Sequence, residues 1–438
     1  MSKGLSRRET LQIGAAGIGL AAQQVARAQD SGKPLRIGIV GTGGRGTGLL
    51  RDLLKIDSVE IPAVCDVKED RTARAQELVV KAGKQKPEAY TRGEKDFLRL
   101  CDRNDLDLVL TATPWRWHTP VSVAAMKAGK HAATEVPAAQ TVEECWELVE
   151  TAEATGKHCA MLENDCYYRA TLFVLNMIRA GVLGEILYAE GGYMHDLRSV
   201  KFNTVSNGEP WRLEPSVKRN GNLYPTHPLG PIAWWMDINR GDRLSYIVSM
   251  SSKALTLKQF AAREFGANDP RATQNYAQGD VNTTLIGTEK GHNILLYFDT
   301  NTPRVKESLV RVQGSKGVYN HMLEKIFVDG HDAKRHNFDW LPLDDYLAKY
   351  DHKLWKAQGK RAAGAGHGGI DYLELYRLVK NLREGKPLDV DVYDAATWSV
   401  IVPLTESSVA NGSRPVDVPD FTRGKWKIRP PVDPDKIV

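Results

Sequence analysis

The sequence predicts an α/β protein in two parts: a doubly wound parallel sheet, then an α/β domain with an open, mainly antiparallel sheet. Three observations predict it. A β-branched run, Leu35 to Val40, leads straight into a glycine-rich turn and a helical pattern. Strand-like and helix-like stretches then alternate as far as Asn164, as they do in a parallel sheet. From Asp165 the alternation stops. Strand-like segments follow near 185–194, 246–252, 282–288, 292–299 and 307–313, several joined by short polar turns such as Thr288-Glu-Lys-Gly291.

In chain order, the first element is an address. Ser6-Arg-Arg-Glu-Thr-Leu11 precedes an apolar, Gly/Ala-rich run from Ile13 to Ala22, and Ala26-Arg27-Ala28 supplies small residues for cleavage. This pattern reads as a twin-arginine export signal over 1–28, which places the mature protein in the periplasm or outside the cell. The run is too short to cross a bilayer, so no membrane association is expected once the signal is removed.

Residues 34–164 read as the nucleotide-binding domain. Gly41-Thr42-Gly43-Gly44-Arg45-Gly46 follows the first strand and opens a helix. In this Rossmann fingerprint the glycines allow a tight turn, close approach of a diphosphate and close helix packing, while the helix N-terminus faces the phosphates. A second strand ends at Asp66, twenty residues beyond Gly46. An acid there suits both hydroxyls of a ribose and disfavours a 2′-phosphate, which selects NAD over NADP; the same residue also suits a helix N-cap. Three further strands end in Thr113-Pro-Trp115-Arg116-Trp117-His118, Glu135-Val136-Pro137 and Glu163-Asn164. Loops at the carboxyl ends of parallel strands line the ligand crevice.

These loops resemble the oxidoreductase superfamily of glucose–fructose oxidoreductase and inositol dehydrogenase, which pairs a Rossmann domain with an open-faced α/β domain. Ordinary members carry Glu-Lys-Pro where this chain has Glu135-Val136-Pro137, and valine does no acid–base work. A narrower resemblance accounts for the change. Trp115 to His118, Glu135-Val-Pro137, Glu163-Asn164, Gly221-Asn-Leu-Tyr-Pro-Thr-His227 and Asn239-Arg-Gly-Asp-Arg243 resemble glycoside hydrolase family 109. That family comprises NAD-dependent α-N-acetylgalactosaminidases, several with twin-arginine signals. The resemblance implies NAD contacts from Gly41, Gly43, Gly44, Arg45, Gly46 and Asp66. Trp115, Arg116, Trp117, His118, Glu135, Val136 and Asn164 then lie around the nicotinamide. It implies substrate contacts from Tyr193, Arg212, Tyr224, Pro225, Thr226 and His227. A substrate tyrosine expected before the strand Ser308 to Gln313 is replaced by Lys306. The relatives also imply a homo-oligomer formed through the open sheet face.

A glycosidase of the usual kind needs two carboxylates flanking the scissile bond. The loops here supply His118, His227, Tyr193, Tyr224 and Arg212 instead, with Glu135 and Glu163 near the cofactor. That set suits proton shuttling. The family chemistry is a redox-neutral cycle: hydride leaves C3 of the sugar, the C2 proton is removed, the aglycone departs, water adds, and the hydride returns. His227 is expected at the oxidised carbinol, with Tyr224 or Tyr193 at the C2 proton or the leaving group. His118 also reads as a cap for the helix that follows, and Tyr193 as ordinary strand filling. Trp234 and Trp235 read as core. His367 and Asp371, in and after Gly364-Ala-Gly-His-Gly-Gly369, read either as a linker or as groups brought over the nicotinamide.

Two other activities stay open: a sugar transhydrogenase of the glucose–fructose oxidoreductase type, and a non-catalytic sugar-binding protein that retains NAD. Val136 argues against the first. Nucleic acid is excluded as a partner on charge. The 438 residues carry a net +5, most of it contributed by the signal, and the body is nearly neutral. The expected ligand is a small glycoside. Five cysteines fall mostly in apolar stretches and read as buried thiols; no Cys-x-x-Cys or His-x-x-x-His spacing predicts a metal. The domain of 165–420 is followed by a proline- and charge-rich tail, 421–438, expected to lie extended on the surface, and the polar stretch 331–369 is expected to form an excursion over the site.

Overall fold

Strands buried on both faces are mainly apolar, and, apart from the solvent-reaching charged residues Arg36, Glu60 and Glu88 near strand starts, so are the strands of the first sheet. They are β1 Leu35–Val40, β2 Val59–Cys65, β3 Glu88–Tyr90, β4 Leu108–Thr111, β5 His131–Thr134 and β6 Cys159–Met161. The computed structural model describes residues 32–203, 210–330 and 339–438. The export signal read over 1–28 and the start of the polar stretch, 331–338, lie outside the described residues. The six strands run in the order β3-β2-β1-β4-β5-β6, every neighbour parallel. Strand order reverses between β1 and β4, which opens a crevice at their carboxyl ends.

The second sheet has β7 Ile186–Met194, β8 Leu244–Ser251, β9 Asn282–Thr288, β10 Asn293–Asp299, β11 Arg311–Gly314, β12 Gly317–Asn320, β13 Lys325–Val328, β14 Leu341–Pro342 and β15 Val416–Asp417. Their order is β14-β13-β12-β11-β7-β10-β9-β8-β15. Among the described pairings only β7 with β10 is parallel. The helices Thr226–Trp235 and Ile401–Ala410 pack on one face. Trp234 and Trp398 are fully buried beneath them, so the tryptophan pair at 234–235 is core, as the apolar pattern indicates.

The boundary near residue 164 marks where the sheets part but not where the packing parts. Helix Ile370–Arg383 returns to lie against helix Gly44–Leu53, and helix Val392–Ser399 lies against helix Val142–Thr155 and β6. One continuous apolar core therefore runs through both halves. The tail corrects its expectation in the same way. Phe421 and Ile437 are buried, Phe421 stacks on Trp146 at 4.7 Å, and Arg423 and Lys425 pair with Glu153. Residues 421–438 tie the nucleotide-binding half to the rest, because their apolar side chains have core to enter.

The turn Asn239 to Arg243 is likewise structural. Buried Arg240 pairs with Asp394 at 2.6 Å, and Asn239 donates to the same carboxylate at 3.1 Å. The five cysteines are buried and free.

Candidate active site

The glycine turn has the shape its sequence requires. Gly41 has φ +85°, and a Cβ on Gly46 would stand 1.8 Å from the Gly41 carbonyl oxygen, so only glycine lets the helix approach the strand this closely. A Cβ at Gly44 would meet open space, and the helix that starts there has no side-chain cap, so its first N–H groups face the crevice. Asp66, buried at the end of β2, accepts from Thr42 N–H at 2.8 Å and Lys68 N–H at 3.0 Å. Both bonds fix its carboxylate at the mouth of the turn and leave further lone pairs. The buried Thr42 Oγ1 and Asn164 Oδ1 have no partner. A cradle open at Gly44, an uncapped helix end and orphaned polar atoms fit a dinucleotide.

Arg45 is the centre of an ion-pair cluster that spans the chain. Its Nε donates to Glu135 at 2.5 Å, and its other arm pairs with Asp371 from the second half. Asp371 also accepts from Asn164 Nδ2 at 2.6 Å and contacts His367 Nδ1 at 2.9 Å. Gly366 N–H donates to Asp52 at 3.0 Å. Burial works against the charge on Asp371, but His367 and Arg45 outweigh it and hold the carboxyl well below its ordinary range. Of the two readings of the 364–371 segment, the linker fails: the segment is pinned to the glycine turn and to the ends of β5 and β6.

The second half brings a cluster of rings to the same crevice. Tyr193 ends β7; Tyr224 and His227 enter from the loop and first turn of helix Thr226–Trp235. Ring centres are 4.6 Å apart for Tyr193 and Tyr224, 5.0 Å for Tyr224 and His227, and 5.5 Å for Tyr193 and His227. Trp115 stands 5.6 Å from Tyr224 and 5.2 Å from Trp211. The Arg212 guanidinium lies over Trp211 at 4.4 Å. Burial raises the proton affinity of both phenols, so each tyrosine is a hydrogen-bond donor at neutral pH.

His227 is held by Glu163. Nδ1 lies 2.6 Å from Glu163 Oε1 and 3.9 Å from Asp165, while Nε2 has no partner among the described residues. Close packing sets this contact, since a Cβ on Gly230, one turn along, would strike Glu163 and Cys166. Burial disfavours the imidazolium, yet the charges of Glu163 and Asp165 dominate and raise His227 to about 9. Burial, opposed by His227, raises Asp165 to about 6.

Several sequence-read residues take other places. His118 is buried with both ring nitrogens near backbone carbonyls, Pro137 at 2.8 Å and Thr113 at 2.9 Å, and burial lowers its affinity for a proton. It braces two crevice loops and presents no free nitrogen, which corrects its reading as a proton carrier. The Arg116 side chain turns outward to Glu94 at 2.6 Å, and Trp117 packs on Phe97 at 5.7 Å, so neither side chain faces the crevice. Val136 is buried beside Glu135, and Pro225 and Thr226 are buried where the helix begins. Lys306 is exposed on the rim, its neighbour Glu307 bridged to Met194. Sequence reading missed Asp165 and the pairing of Glu163 with His227. It also missed that ligand atoms of these three lie within 4.8 Å of one another, a spacing a cation can use. Only the position of Glu163-Asn-Asp165 after a strand hinted at it.

Comparison with known proteins bears on this geometry. Residues 35–162 match the model for the oxidoreductase family, NAD-binding Rossmann fold, and residues 167–428 match that for glycosyl hydrolase 109, C-terminal domain. A glycosyl hydrolase family 109 protein of Solibacter usitatus is 46% identical over 442 residues, covering 98% of this chain and 99% of its own. One of Shewanella pealeana is 45% identical over 401 residues, covering 91% and 88%. Among solved structures, levoglucosan dehydrogenase in complex with NADH and levoglucosan superposes with TM-score 0.67 at 21% identity, covering 88% of this chain and all of its own. An inositol dehydrogenase homologue from Azotobacter vinelandii complexed with NAD+ gives 0.62 at 21% identity, covering 88% and 97%. These last two share the fold.

The His227–Glu163 pair generates a pH prediction. A raised imidazole contributes stability that is complete below its unfolded value near 6.5 and is lost as pH rises through about 9. Glu163→Gln should lower the imidazole midpoint, followed by NMR, by about one unit or more and remove that slope from the stability curve. An unchanged midpoint would show that Glu163 does not control His227.

Proposed function

The chain belongs to glycosyl hydrolase family 109, a family of NAD-dependent glycosidases, and on that premise we propose that it cleaves α-N-acetylgalactosaminides or related glycosides through a redox-neutral cycle on a retained NAD. The observation that carries the reading is His227, anchored by Nδ1 to Glu163 with Nε2 open to a ring-walled site beside the nucleotide crevice.

NAD, which the glycine turn and Asp66 would hold, would supply a reversible hydride acceptor for the sugar C3. Every other step falls to side chains. In its neutral form, which grows as pH rises toward about 9, His227 takes the proton of the C3 hydroxyl at Nε2, and Glu163 at Nδ1 stabilises the imidazolium that results. Asp165, with a proton affinity near neutrality, exchanges that proton onward. Oxidation at C3 acidifies the C2 proton, which passes to the Asp165 carboxylate as the C1–O bond breaks and the aglycone departs. Tyr193 and Tyr224, held protonated by burial, donate to the departing oxygen. Arg212, stacked on Trp211 and without a carboxylate partner among the described residues, directs its N–H groups to sugar hydroxyls. Proton transfers of this kind are worth about 10²–10⁴-fold each. Buried Val136 leaves no lysine for a plain dehydrogenase, which supports the hydrolytic reading.

The reading extends to place and assembly. The signal over 1–28 would export the protein already loaded, to a compartment where a cofactor regenerated in each cycle suffices. The outward face of the second sheet carries Tyr246, Met250 and Leu285, all exposed, beside half-buried Val248, Leu295 and Tyr297. A second copy of the chain is the proposed cover, since this apolar patch runs across the paired strands β8, β9 and β10, with the Glu190–Arg311 pair at its border.

Three experiments test the proposed cycle and assembly. In deuterated water the enzyme should release aglycone with no added acceptor and place deuterium at C2. His227→Ala should lose about 10²-fold or more in turnover with its NAD still bound. Wild-type turnover in that variant, or a requirement for a second carbonyl substrate, contradicts the cycle. Met250→Lys should shift the protein to monomer in light scattering; an unchanged mass overturns the proposed interface.

A further inference from the structure

The wall formed by Tyr193, Tyr224 and Arg212 is not solid. Behind it is a narrow cavity of about 20 Å³, room for one water-sized oxygen, whose lining includes Trp115, Phe298, Arg212, Lys201, Gln278 and Thr300. Lys201 is 4% exposed. Its Nζ donates to Ser216 Oγ at 2.9 Å, Gln278 Oε1 at 3.2 Å and Asn301 Oδ1 at 2.5 Å, all neutral acceptors. Gln278 is 1% exposed and its amide oxygen is taken by Lys201 and Ser216, yet its Nε2 has no partner. Thr300 is 3% exposed, and its Oγ1 has no partner either.

The charge census is equally one-sided. Among the described residues no aspartate or glutamate lines the cavity. The nearby acids are engaged elsewhere: Asp299 with Asn301 N–H, Thr302 and Arg304, and Asp280 with Leu255 N–H and Thr256. Among the described residues neither Lys201 nor Arg212 has a carboxylate within ion-pair distance. Two cations and two orphaned buried groups thus face one small space whose remaining acceptors, among the described residues, are neutral hydroxyl oxygens. Buried polar groups of folded proteins are paired, so this arrangement implies an occupant that accepts. Burial and the neighbouring Arg212 lower Lys201 to about 7, as expected of a cation without its counter-charge.

We infer that this cavity is an anion subsite, taking one oxygen of a compact carboxylate between Lys201, Arg212, Gln278 Nε2 and Thr300 Oγ1. The carboxylate comes from an acidic sugar in the adjoining site or from a free small organic acid. The first source rests on the reading that Tyr193, Tyr224 and Arg212 hold the sugar. An uncharged acyl carbonyl would satisfy Gln278 and Thr300 but leave both cations unmatched.

Formate is the minimal probe. It is titrated into the NAD-loaded protein at constant ionic strength against chloride, reading tryptophan emission, since Trp115 lines the cavity and Trp211 stacks on Arg212. The expected result is a saturable response to formate that Thr300→Val, which keeps the side chain's shape, and Lys201→Met each weaken about fivefold or more. A second arm compares a hexuronate with its parent hexose as competing ligands. A wild-type preference of about tenfold for the hexuronate, lost in Thr300→Val, identifies the acidic sugar as the source. Saturable formate binding with no such preference identifies the free acid. No saturable formate response, or a response equal to wild type in both variants, overturns the subsite. The formate arm needs no turnover, so it reads the cavity even if the proposed glycosidase cycle fails.

Discussion

Arg45 is the residue on which the two halves of this protein meet. It leaves the glycine turn at the start of a helix, beside Gly46, which must be glycine, and its guanidinium reaches both Glu135 at the end of β5 and Asp371 on helix Ile370–Arg383. Fully desolvating a lone guanidinium is prohibitive; flanked by two carboxylates it becomes a fixed joint. Everything near the crevice inherits its position from that joint. Asn164 is oriented by Asp371, and the strap 364–369 is drawn down onto Asp52.

A joint of this kind matches the chemistry argued for the site. A dehydrogenase must release its nucleotide in every turnover, so it gains from a crevice that opens. An enzyme that returns its hydride within the same cycle gains from one that stays shut. The rest of the site is then free to specialise in protons. Glu163 sets the protonation of His227, and burial keeps two phenols protonated. The aromatic walls lower the local dielectric and strengthen each of these couplings.

Much of this was legible in the sequence, for identifiable reasons. The glycine turn and Asp66 follow local rules of strand, turn and helix, and their spacing alone forecasts the crevice. Tyr193, Tyr224 and His227 were found through motifs and do converge. What stayed hidden depends on contacts between residues far apart in the chain. The Glu163–His227 bond joins positions 64 apart, and Asp371 is 326 residues from Arg45. His118 looks reactive as a letter, but the backbone carbonyls of Thr113 in its own loop and Pro137 in the next turn it into a brace. The tail read as surface because its charges dominate the composition, whereas its few apolar residues decide where it lies.

The account stands or falls on whether the Arg45–Asp371 joint keeps the nucleotide in place. The most direct measurement is the release rate of bound NAD from the purified protein, followed by chase with labelled NAD, in the wild type and in Asp371→Asn. The account predicts release far slower than turnover in the wild type and at least about tenfold faster in the variant, with the fold intact. Equal release rates in the two proteins, or wild-type release as fast as turnover, would contradict it.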